Sequence, residues 1–179
     1  MVDRERADLL SAIRSVPDFP KKGIIFRDIT TLLKDAGSFR RVVDILYEKY
    51  KKVPVDKIVS VESRGFIFAG PLAYKMNIGF VPIRKPNKLP AETARKEYAL
   101  EYGTDAIEIH KDAIRAGDRI LLHDDLLATG GTIAAAADLV ESLGGVVVGM
   151  SFLVELCFLA GRKRLSKYDI FSILQYETE

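Results

Sequence analysis

Cysteine and histidine are scarce in this sequence, which has one cysteine and two histidines among 179 residues. The single cysteine, Cys157, cannot form an internal disulfide, and no other cysteine or histidine stands near it at the spacing of metal ligands. Disulfide frameworks and zinc modules are therefore excluded, and a reducing compartment is indicated. Because Cys157 lies in an apolar stretch, we expect an inert thiol in the core.

Long hydrophobic runs are also missing. The longest apolar stretch, Val146 to Gly161, is interrupted by Ser151 and Glu155, and it falls short of the run of about 18 to 20 residues that spans a bilayer. The charged residues at positions 1–6 are followed by no apolar segment, so we expect no secretory signal. We therefore expect a cytoplasmic protein that has no membrane partner.

Neither sign of charge is in large excess. Lysine and arginine number 27 against 25 for aspartate and glutamate, and the net charge of +2 gives no basic surplus of the kind that a general nucleic-acid binder needs. Hydrophobic residues make up 48% and charged residues 29% of the chain, which excludes a disordered or fibrous protein. The length predicts one domain over residues 1–179, with a core that needs neither disulfides nor a structural metal.

The hydrophobic spacing predicts alternating strands and helices. Helices are expected at 5–16, 38–51, 66–76 and 133–143, and strands at 24–26, 57–61, 79–83, 119–123 and 146–153. Ser38 is the expected N-cap of the second helix. Residues 84–96 have the composition of a mobile loop, and 98–102 with 106–110 predict a hairpin. Strand–helix–strand units predict an α/β fold, with a mostly parallel sheet and helices on both faces.

The turn HDDLLATGGT, residues 123–132, joins a buried strand to a helix, and α/β sheets bind ligands at such turns. Its adjacent glycines let successive N–H groups converge on one phosphate at the helix N-terminus, and two threonines add hydroxyl donors. The spacing is neither that of a Walker loop nor that of a dinucleotide turn. Asp124 and Asp125 suit the hydroxyls of a ribose or a hydrated Mg²⁺, although such a pair can also cap or solvate a turn. A ribose 5-phosphate therefore fits the turn.

A second turn, residues 62–66, reads Glu-Ser-Arg-Gly-Phe and follows another buried strand. The Ser63 hydroxyl and the Arg64 guanidinium suit a second anion, such as diphosphate. By itself this turn is a weak signal, and a purely structural role is the alternative.

The thirteen residues ILLHDDLLATGGT, 120–132, resemble the signature of the type I phosphoribosyltransferase family. The segments PDFPKKGIIFRDIT, ESRGFIFAGPLA, IRKPNKLP and LEYGTDAIEIHKDAI occur in the family's order between about Ser15 and Tyr176, and they are most similar to the members that act on adenine. His123 departs from the pattern, because the family usually has an apolar strand residue there. We interpret it as a strand-end side chain that need not contact substrate.

The resemblance implies a type I phosphoribosyltransferase fold, with a central mostly parallel sheet flanked by helices. It also implies an N-terminal arm and base-binding hood over about residues 1–35 and a flexible lid loop over about 84–102. The implied reaction joins adenine to 5-phospho-α-D-ribose 1-diphosphate and gives AMP and diphosphate. Mg²⁺ is the implied cofactor. The diphosphate carries it without direct protein ligands, and water bridges to Asp124 and Asp125 are one option.

The resemblance also assigns roles to individual residues. The 5-phosphate is bound by Ala128, Thr129, Gly130, Gly131 and Thr132, and the ribose hydroxyls by Asp124 and Asp125, which can also stabilise positive charge on the sugar. The diphosphate is bound by Ser63, Arg64, Arg84, Lys85 and Lys88, although the last three otherwise suit a solvated loop. In this family the peptide bond before the serine is often cis. The residue matching Arg84 reaches the neighbouring subunit, which implies a homodimer.

The base pocket and the lid complete these assignments. Phe26 and Leu126 lie on the two faces of the purine, and backbone groups of Ile25 and Arg27 read its edge. Without the resemblance, Phe26 would be interpreted as a core aromatic. Glu101 and Tyr102 end the lid, and Glu101 matches a glutamate that contacts purine N7 and assists proton movement.

Two other functions stay open on the sequence. One is a different purine phosphoribosyltransferase, because the phosphate loop is shared while the base pocket decides specificity. The other is a non-catalytic sensor of phosphoribosyl diphosphate. The basic run at 162–167 is interpreted as a solvated helix face and gives no reason to invoke RNA.

Overall fold

The structure, a computed structural model, describes residues 2–99 and 103–178. Its strands are β1 (Arg14–Val16), β2 (Phe26–Asp28), β3 (Lys57–Val61), β4 (Gly79–Ile83), β5 (Thr93–Ala99), β6 (Thr104–His110), β7 (Arg119–Leu127), β8 (Val146–Leu156) and β9 (Ile170–Tyr176). Its helices are α1 (Val2–Ser11), α2 (Thr30–Leu33), α3 (Ala36–Tyr50), α4 (Gly65–Met76), α5 (Gly131–Ser142) and α6 (Gly161–Arg164), with a 3₁₀ turn at Cys157–Leu159. Over these ranges, no helix has the length and hydrophobicity that crossing a membrane requires.

The central sheet has five strands in the order β4-β3-β7-β8-β9, and each neighbouring pair is parallel. Neighbouring residues along a strand pack on opposite faces. Ile58 and Leu121 belong to a core that includes α3 and α4, whereas Val59 and Leu122 belong to a second core that includes α5. The sheet is therefore covered on both faces, which is typical of parallel sheets and confirms the predicted α/β architecture.

The N-terminal segment differs from the sequence prediction. The helix expected to reach residue 16 ends at Ser11, and β1 pairs antiparallel with β2 instead. The Thr31 hydroxyl accepts the Arg14 N–H at 3.2 Å and donates to the Ala12 carbonyl at 2.6 Å. These contacts come from a residue distant in sequence, so helical periodicity alone could not reveal them.

The N-cap of α3 also differs. Asp35, and not Ser38, precedes the helix in an extended conformation, and its carboxylate accepts the Ser38 N–H at 2.7 Å. Asp35 and Ser38 both have side chains that can cap a helix. Asp35 is the cap because its backbone is extended, whereas Ser38 lies inside the helix.

The hairpin begins earlier than expected. Thr93 to Ala99 form β5, which pairs antiparallel with β6, so part of the segment expected to be a loop is a strand. Its side chains alternate, with Arg95 and Glu97 exposed and Lys96 and Tyr98 half-buried. The burial of these side chains alternates as in a strand, but most of them are polar. A pattern of hydrophobic residues therefore does not reveal this strand.

His123 is not at a strand end, because β7 continues to Leu127. Its side chain is fully buried, and Nδ1 lies 2.9 Å from the Ser151 hydroxyl on β8. Burial lowers the pKa of His123 to about 3, so the imidazole is neutral at physiological pH.

Cys157 is half-buried at the end of β8 and is not a core residue. Burial, with some contribution from the nearby Glu155 charge, raises the pKa of its thiol. The thiol is therefore expected to be unreactive because it stays protonated, and not because it is deeply packed.

We expect His123→Leu to reduce the loss of stability on acidification. The unfolded imidazole titrates near 6.5 and the folded one near 3, so the unfolded chain binds more protons between these values. The contribution of His123 to the free energy of unfolding therefore decreases as the pH falls from 6.5 towards 3. Urea midpoints at pH 7.5 and pH 5.0 should show a larger drop for the wild type than for His123→Leu.

The control is His110→Gln, because this second histidine is only half-buried and lies on β6, outside the central sheet. It should keep the wild-type drop. Equal drops in all three proteins would contradict the assignment of this pH dependence to His123.

Candidate active site

The carboxyl ends of β3 and β7 lie side by side, because the two strands pair in parallel with Ser60 opposite His123. The turn that follows β3 contains Arg64, and the end of β7 leads into the loop before α5. Arg64 and residues 124–133 line a cleft of about 210 Å³. The structure thus brings the two turns that the sequence singled out into one site.

The loop between β7 and α5 has the geometry of an anion cradle. Gly130 has φ of 78°, in the left-handed region that favours glycine, and α5 begins at Gly131. The first N–H groups of a helix lack intrahelical partners and carry partial positive charge. Ala128, Thr129 and Thr132 surround this helix start and complete the wall of the cleft.

The acidic pair lies beside this cradle. Asp125 is buried, and its Oδ2 is 2.8 Å from Arg64 Nε, while the partly buried Asp124 accepts the Asp125 N–H at 2.9 Å. Burial raises the pKa of both carboxyls. The Asp125 charge raises that of Asp124 further, and the Arg64 guanidinium opposes the rise in both. Two neighbouring carboxyls, of which Asp125 pairs with Arg64, are placed to accept hydrogen bonds from vicinal hydroxyls.

Gly65 permits this arrangement. A Cβ at Gly65 would lie 2.5 Å from the Ser60 hydroxyl oxygen and 2.8 Å from Asp124 Oδ1. Any larger residue would therefore push α4 away from the acidic pair.

The Phe26 side chain of the N-terminal segment reaches the same region. Phe26 is half-buried, its ring centroid is 5.5 Å from Arg64 Cζ, and its edge contacts Phe19. Arg27 donates to the Ser15 hydroxyl at 2.6 Å and stacks 4.1 Å from the Tyr176 ring. Phe26 is thus partly exposed to solvent and lies next to Arg64, the partner of Asp125. An aromatic residue of the core would be fully buried.

Two further residues of the expected base pocket lie nearby. Ile25 is half-buried directly before β2, and Leu126 lines the cleft from β7.

The basic segment, which we define as residues 84–88, folds back onto the end of β3. Arg84 Nε lies 2.8 Å from Glu62 Oε2, and Lys88 Nζ lies 3.2 Å from Glu62 Oε1. Lys85 pairs with Asp105 on β6. Ser63 is exposed, and the Glu62–Ser63 peptide bond is cis, which confirms what the resemblance implied. The side chains of Arg84, Lys85 and Lys88 thus have defined partners, unlike those of a solvated loop.

The expected proton-transfer residue Glu101 and its neighbour Tyr102 lie outside the described residues. The hairpin that leads to them is docked beside the cleft. The Thr132 hydroxyl is 3.3 Å from the Tyr98 hydroxyl, and Lys96 Nζ is 2.8 Å from Asp138 on α5.

The segment after β8 differs from the sequence prediction. A solvated helix face is predicted for residues 162–167, but the Arg162 guanidinium donates to both oxygens of the buried Glu155, at 2.6 and 2.7 Å. This ion pair anchors the start of α6 against β8. The interpretation is therefore wrong for Arg162, and the one available signal was a glutamate in an otherwise apolar strand.

Gly161, directly before Arg162, packs against the backbone of the anion cradle. A Cβ at Gly161 would overlap the Ala128 carbonyl oxygen, and a Cβ at Gly130 would lie 3.0 Å from the Gly161 carbonyl oxygen. Two backbone segments about thirty residues apart therefore touch, and the contact needs glycine on both sides.

Two larger cavities, of about 640 and 700 Å³, lie along α3. Neither is lined by a residue from the carboxyl end of a sheet strand. The smaller cleft at Arg64 is the better candidate, because the chemistry of its lining, and not its volume, points to a ligand.

Comparison with known proteins identifies the family. A family model for the phosphoribosyl transferase domain matches residues 28–177. An adenine phosphoribosyltransferase of Solibacter usitatus is 60% identical over 170 residues, which cover 95% of this chain and 98% of that protein. The chain belongs to the adenine phosphoribosyltransferase family. It is thus a phosphoribosyltransferase, a glycosyltransferase-type enzyme.

Solved structures agree with this membership. The adenine phosphoribosyltransferase of Thermoanaerobacter pseudethanolicus superposes with a TM-score of 0.93 at 55% identity, covering 96% of this chain and 99% of that chain. The enzyme of Saccharomyces cerevisiae, complexed with an imino-altritol bisphosphate and adenine, gives 0.90 at 40% identity, with 96% and 99% covered. The type I phosphoribosyltransferase fold expected from the sequence is confirmed.

We expect Gly161→Ala to damage the phosphate cradle. The new Cβ must displace the Ala128 carbonyl, and a shift of about 1 Å at a binding loop costs on the order of 100-fold in kcat/KM. Steady-state phosphoribosyltransferase kinetics measure the effect, and circular dichroism checks that the fold is kept.

Gly70→Ala is the matched control, because a Cβ at Gly70 on α4 meets nothing within 4 Å. Should Gly161→Ala be as active as Gly70→Ala, the contact would have no part in shaping the cradle.

Proposed function

We propose that this chain transfers the phosphoribosyl group of 5-phospho-α-D-ribose 1-diphosphate to N9 of adenine and releases AMP and diphosphate, a purine salvage reaction. The observation that carries the proposal is the cleft in which an acidic pair, a guanidinium and a helix-start anion cradle converge. Relatives at 54–60% identity over at least 92% of this chain are named adenine phosphoribosyltransferases, which supports it.

The cradle binds the 5-phosphate in this proposal, and the acidic pair binds the ribose hydroxyls. N–H groups of residues 128–132 and the hydroxyls of Thr129 and Thr132 surround the phosphate oxygens. As the bond from C1 to the diphosphate oxygen breaks, positive charge develops on the sugar. The carboxylates of Asp124 and Asp125 then stabilise that charge in a site whose groups are already in place.

The leaving diphosphate takes up negative charge and needs cations. Arg64 with Ser63 supplies them from the turn after β3, and Lys85 and Lys88 supply them from the basic segment. Arg84 of the same segment supplies its guanidinium to the diphosphate in the neighbouring subunit's site. A guanidinium suits this role because its fork of donors holds two oxygens at once.

The residues present fit Mg²⁺ as the cofactor. Asp124 and Asp125 offer hard oxygen donors beside a single guanidinium, and both carboxyls have a raised pKa that a nearby cation would lower. Asp124 and Asp125 would be the residues that hold this ion, which enters with the diphosphate and needs no direct protein ligand. When bound, Mg²⁺ neutralises part of the charge on the leaving diphosphate.

The base pocket accounts for the choice of adenine. Phe26 stacks on one purine face and Leu126 covers the other, and backbone groups of Ile25 and Arg27 pair with the base edge. A backbone carbonyl that accepts from the exocyclic amine rejects a 6-oxo purine, because that acceptor would be left buried and unpaired. The relative from Saccharomyces cerevisiae is described as a complex with adenine, which supports this pocket.

Residues 1–35 form the arm and base-binding hood, and 84–102 form a lid that excludes water when it closes. Glu101 assists proton movement at purine N7, and Tyr102 completes the lid. The chain works in the cytoplasm as a homodimer in which Arg84 reaches the neighbouring site.

The product of the reaction tests the function. Purified protein with phosphoribosyl diphosphate and Mg²⁺ should convert adenine to AMP, and it should leave hypoxanthine, guanine and orotate unchanged in separate reactions, as seen by chromatography. A different nucleotide would overturn the base pocket. Binding of phosphoribosyl diphosphate without any product would favour the sensor instead.

Asp125→Asn tests the acidic pair. The variant should keep its fold and lose at least about 100-fold in kcat, because a neutral amide stabilises positive charge on the sugar poorly and leaves Arg64 without its carboxylate. The measurement is steady-state AMP formation.

The matched control is Asp44→Asn, which removes a charge from a surface ion pair with Lys75 on the helices. It should keep wild-type kinetics. Wild-type turnover in Asp125→Asn would exclude the role given to the pair.

A further inference from the structure

We propose that Glu62 is a positioning residue that orients the cations of the basic segment for the diphosphate group; this rests on the function proposed above. Its carboxylate receives three donors from that segment. The Lys85 backbone N–H donates to Oε1 at 2.7 Å, Arg84 Nε lies 2.8 Å from Oε2, and Lys88 Nζ lies 3.2 Å from Oε1.

The ionised state of Glu62 is held by these partners. Burial alone would raise the pKa of the carboxyl, but the Lys85 N–H and the Arg84 and Lys88 cations together lower it below its usual value. A buried charge is tolerated only where partners satisfy it. The carboxylate and the two cations therefore form one unit.

The cations of this unit face outwards. The Glu62 side chain is 7% exposed, whereas those of Arg84 and Lys88 are 36% and 50% exposed. A guanidinium has five N–H donors, so it can hold Glu62 and an outside anion at the same time. Glu62 thus lies beneath two cations whose outer sides are accessible to a ligand.

The backbone of the segment is anchored separately. Arg84 and Glu108 exchange both backbone hydrogen bonds, at 2.8 and 2.9 Å, and the buried Glu108 carboxylate accepts the Asn87 N–H at 3.1 Å. Removing the charge of Glu62 should therefore release the Lys88 side chain and leave the Arg84 guanidinium held only by its hydrogen bond to the Lys88 carbonyl at 3.1 Å, without unfolding the segment. This separates a positioning role from a general structural one.

The position of Glu62 links two groups of cations. It stands two residues before Arg64, which pairs with Asp125, so a single turn after β3 orients a guanidinium of its own and two cations of the basic segment. The cations that Glu62 orients bind the diphosphate end of the substrate in this proposal. Loss of Glu62 should therefore weaken the binding of ligands that carry a diphosphate and leave the binding of AMP unchanged.

The test measures binding of inorganic diphosphate with Mg²⁺, and of AMP, by calorimetry. Glu62→Gln keeps the size and an acceptor for the Lys85 N–H but removes the charge. We expect it to weaken diphosphate binding about tenfold and raise the KM for phosphoribosyl diphosphate similarly, with AMP affinity and kcat within about threefold of wild type. Glu62→Asp, which keeps the charge on a shorter arm, should recover part of the loss.

Glu48→Gln is the control, because Glu48 on α3 is an exposed partner of Lys51 and lies outside the site and the lid. It should bind both ligands as the wild type does. Unchanged or tighter diphosphate binding by Glu62→Gln would overturn the proposal, as would an equal loss for diphosphate and AMP. If the wild type made no AMP, the proposed function would fail, and diphosphate binding would still decide the role of Glu62.

Discussion

The parallel pairing of β3 with β7 is the constraint on which the site depends. Ser60 lies opposite His123, and the Ser60 hydroxyl donates to the His123 carbonyl at 2.7 Å. In this register the ends of both strands open at one edge of the sheet, so the turn holding Arg64 meets the acidic pair of β7. A helix starts next to each turn, and Gly65 leaves room for Asp124 to approach α4. The positions of the charged groups follow from this register.

Charge in the site is organised in pairs. Arg64 holds Asp125, Lys85 holds Asp105, and Glu62 holds the cations of the basic segment. Each pair fixes a group that would otherwise be a flexible side chain, which reduces the conformational entropy lost on binding a highly charged substrate. Such preorganisation is the main way in which an enzyme stabilises charge that develops during a reaction.

The anion cradle is held by a strand that contributes no side chain to the proposed chemistry. The end of β8 carries Glu155, whose ion pair with Arg162 anchors the turn containing Gly161. Gly161 in turn touches the backbone of the cradle at Ala128 and Gly130. The conformation of the glycine-rich loop therefore depends on the start of α5 and on the turn containing Gly161, as well as on its own sequence.

Local periodicity and one contiguous motif are enough to predict the α/β class, the strands β3 and β4, the cradle before α5 and the family. Tertiary structure decided what local patterns do not encode. Long-range contacts of Thr31 end α1 early, the polar alternation of β5 becomes visible only when it pairs with β6, and β7 runs on far enough to bury His123. The roles of Glu62, Glu155 and Gly161 belong to this second group, since each acts on a segment distant in sequence that only folding brings into contact.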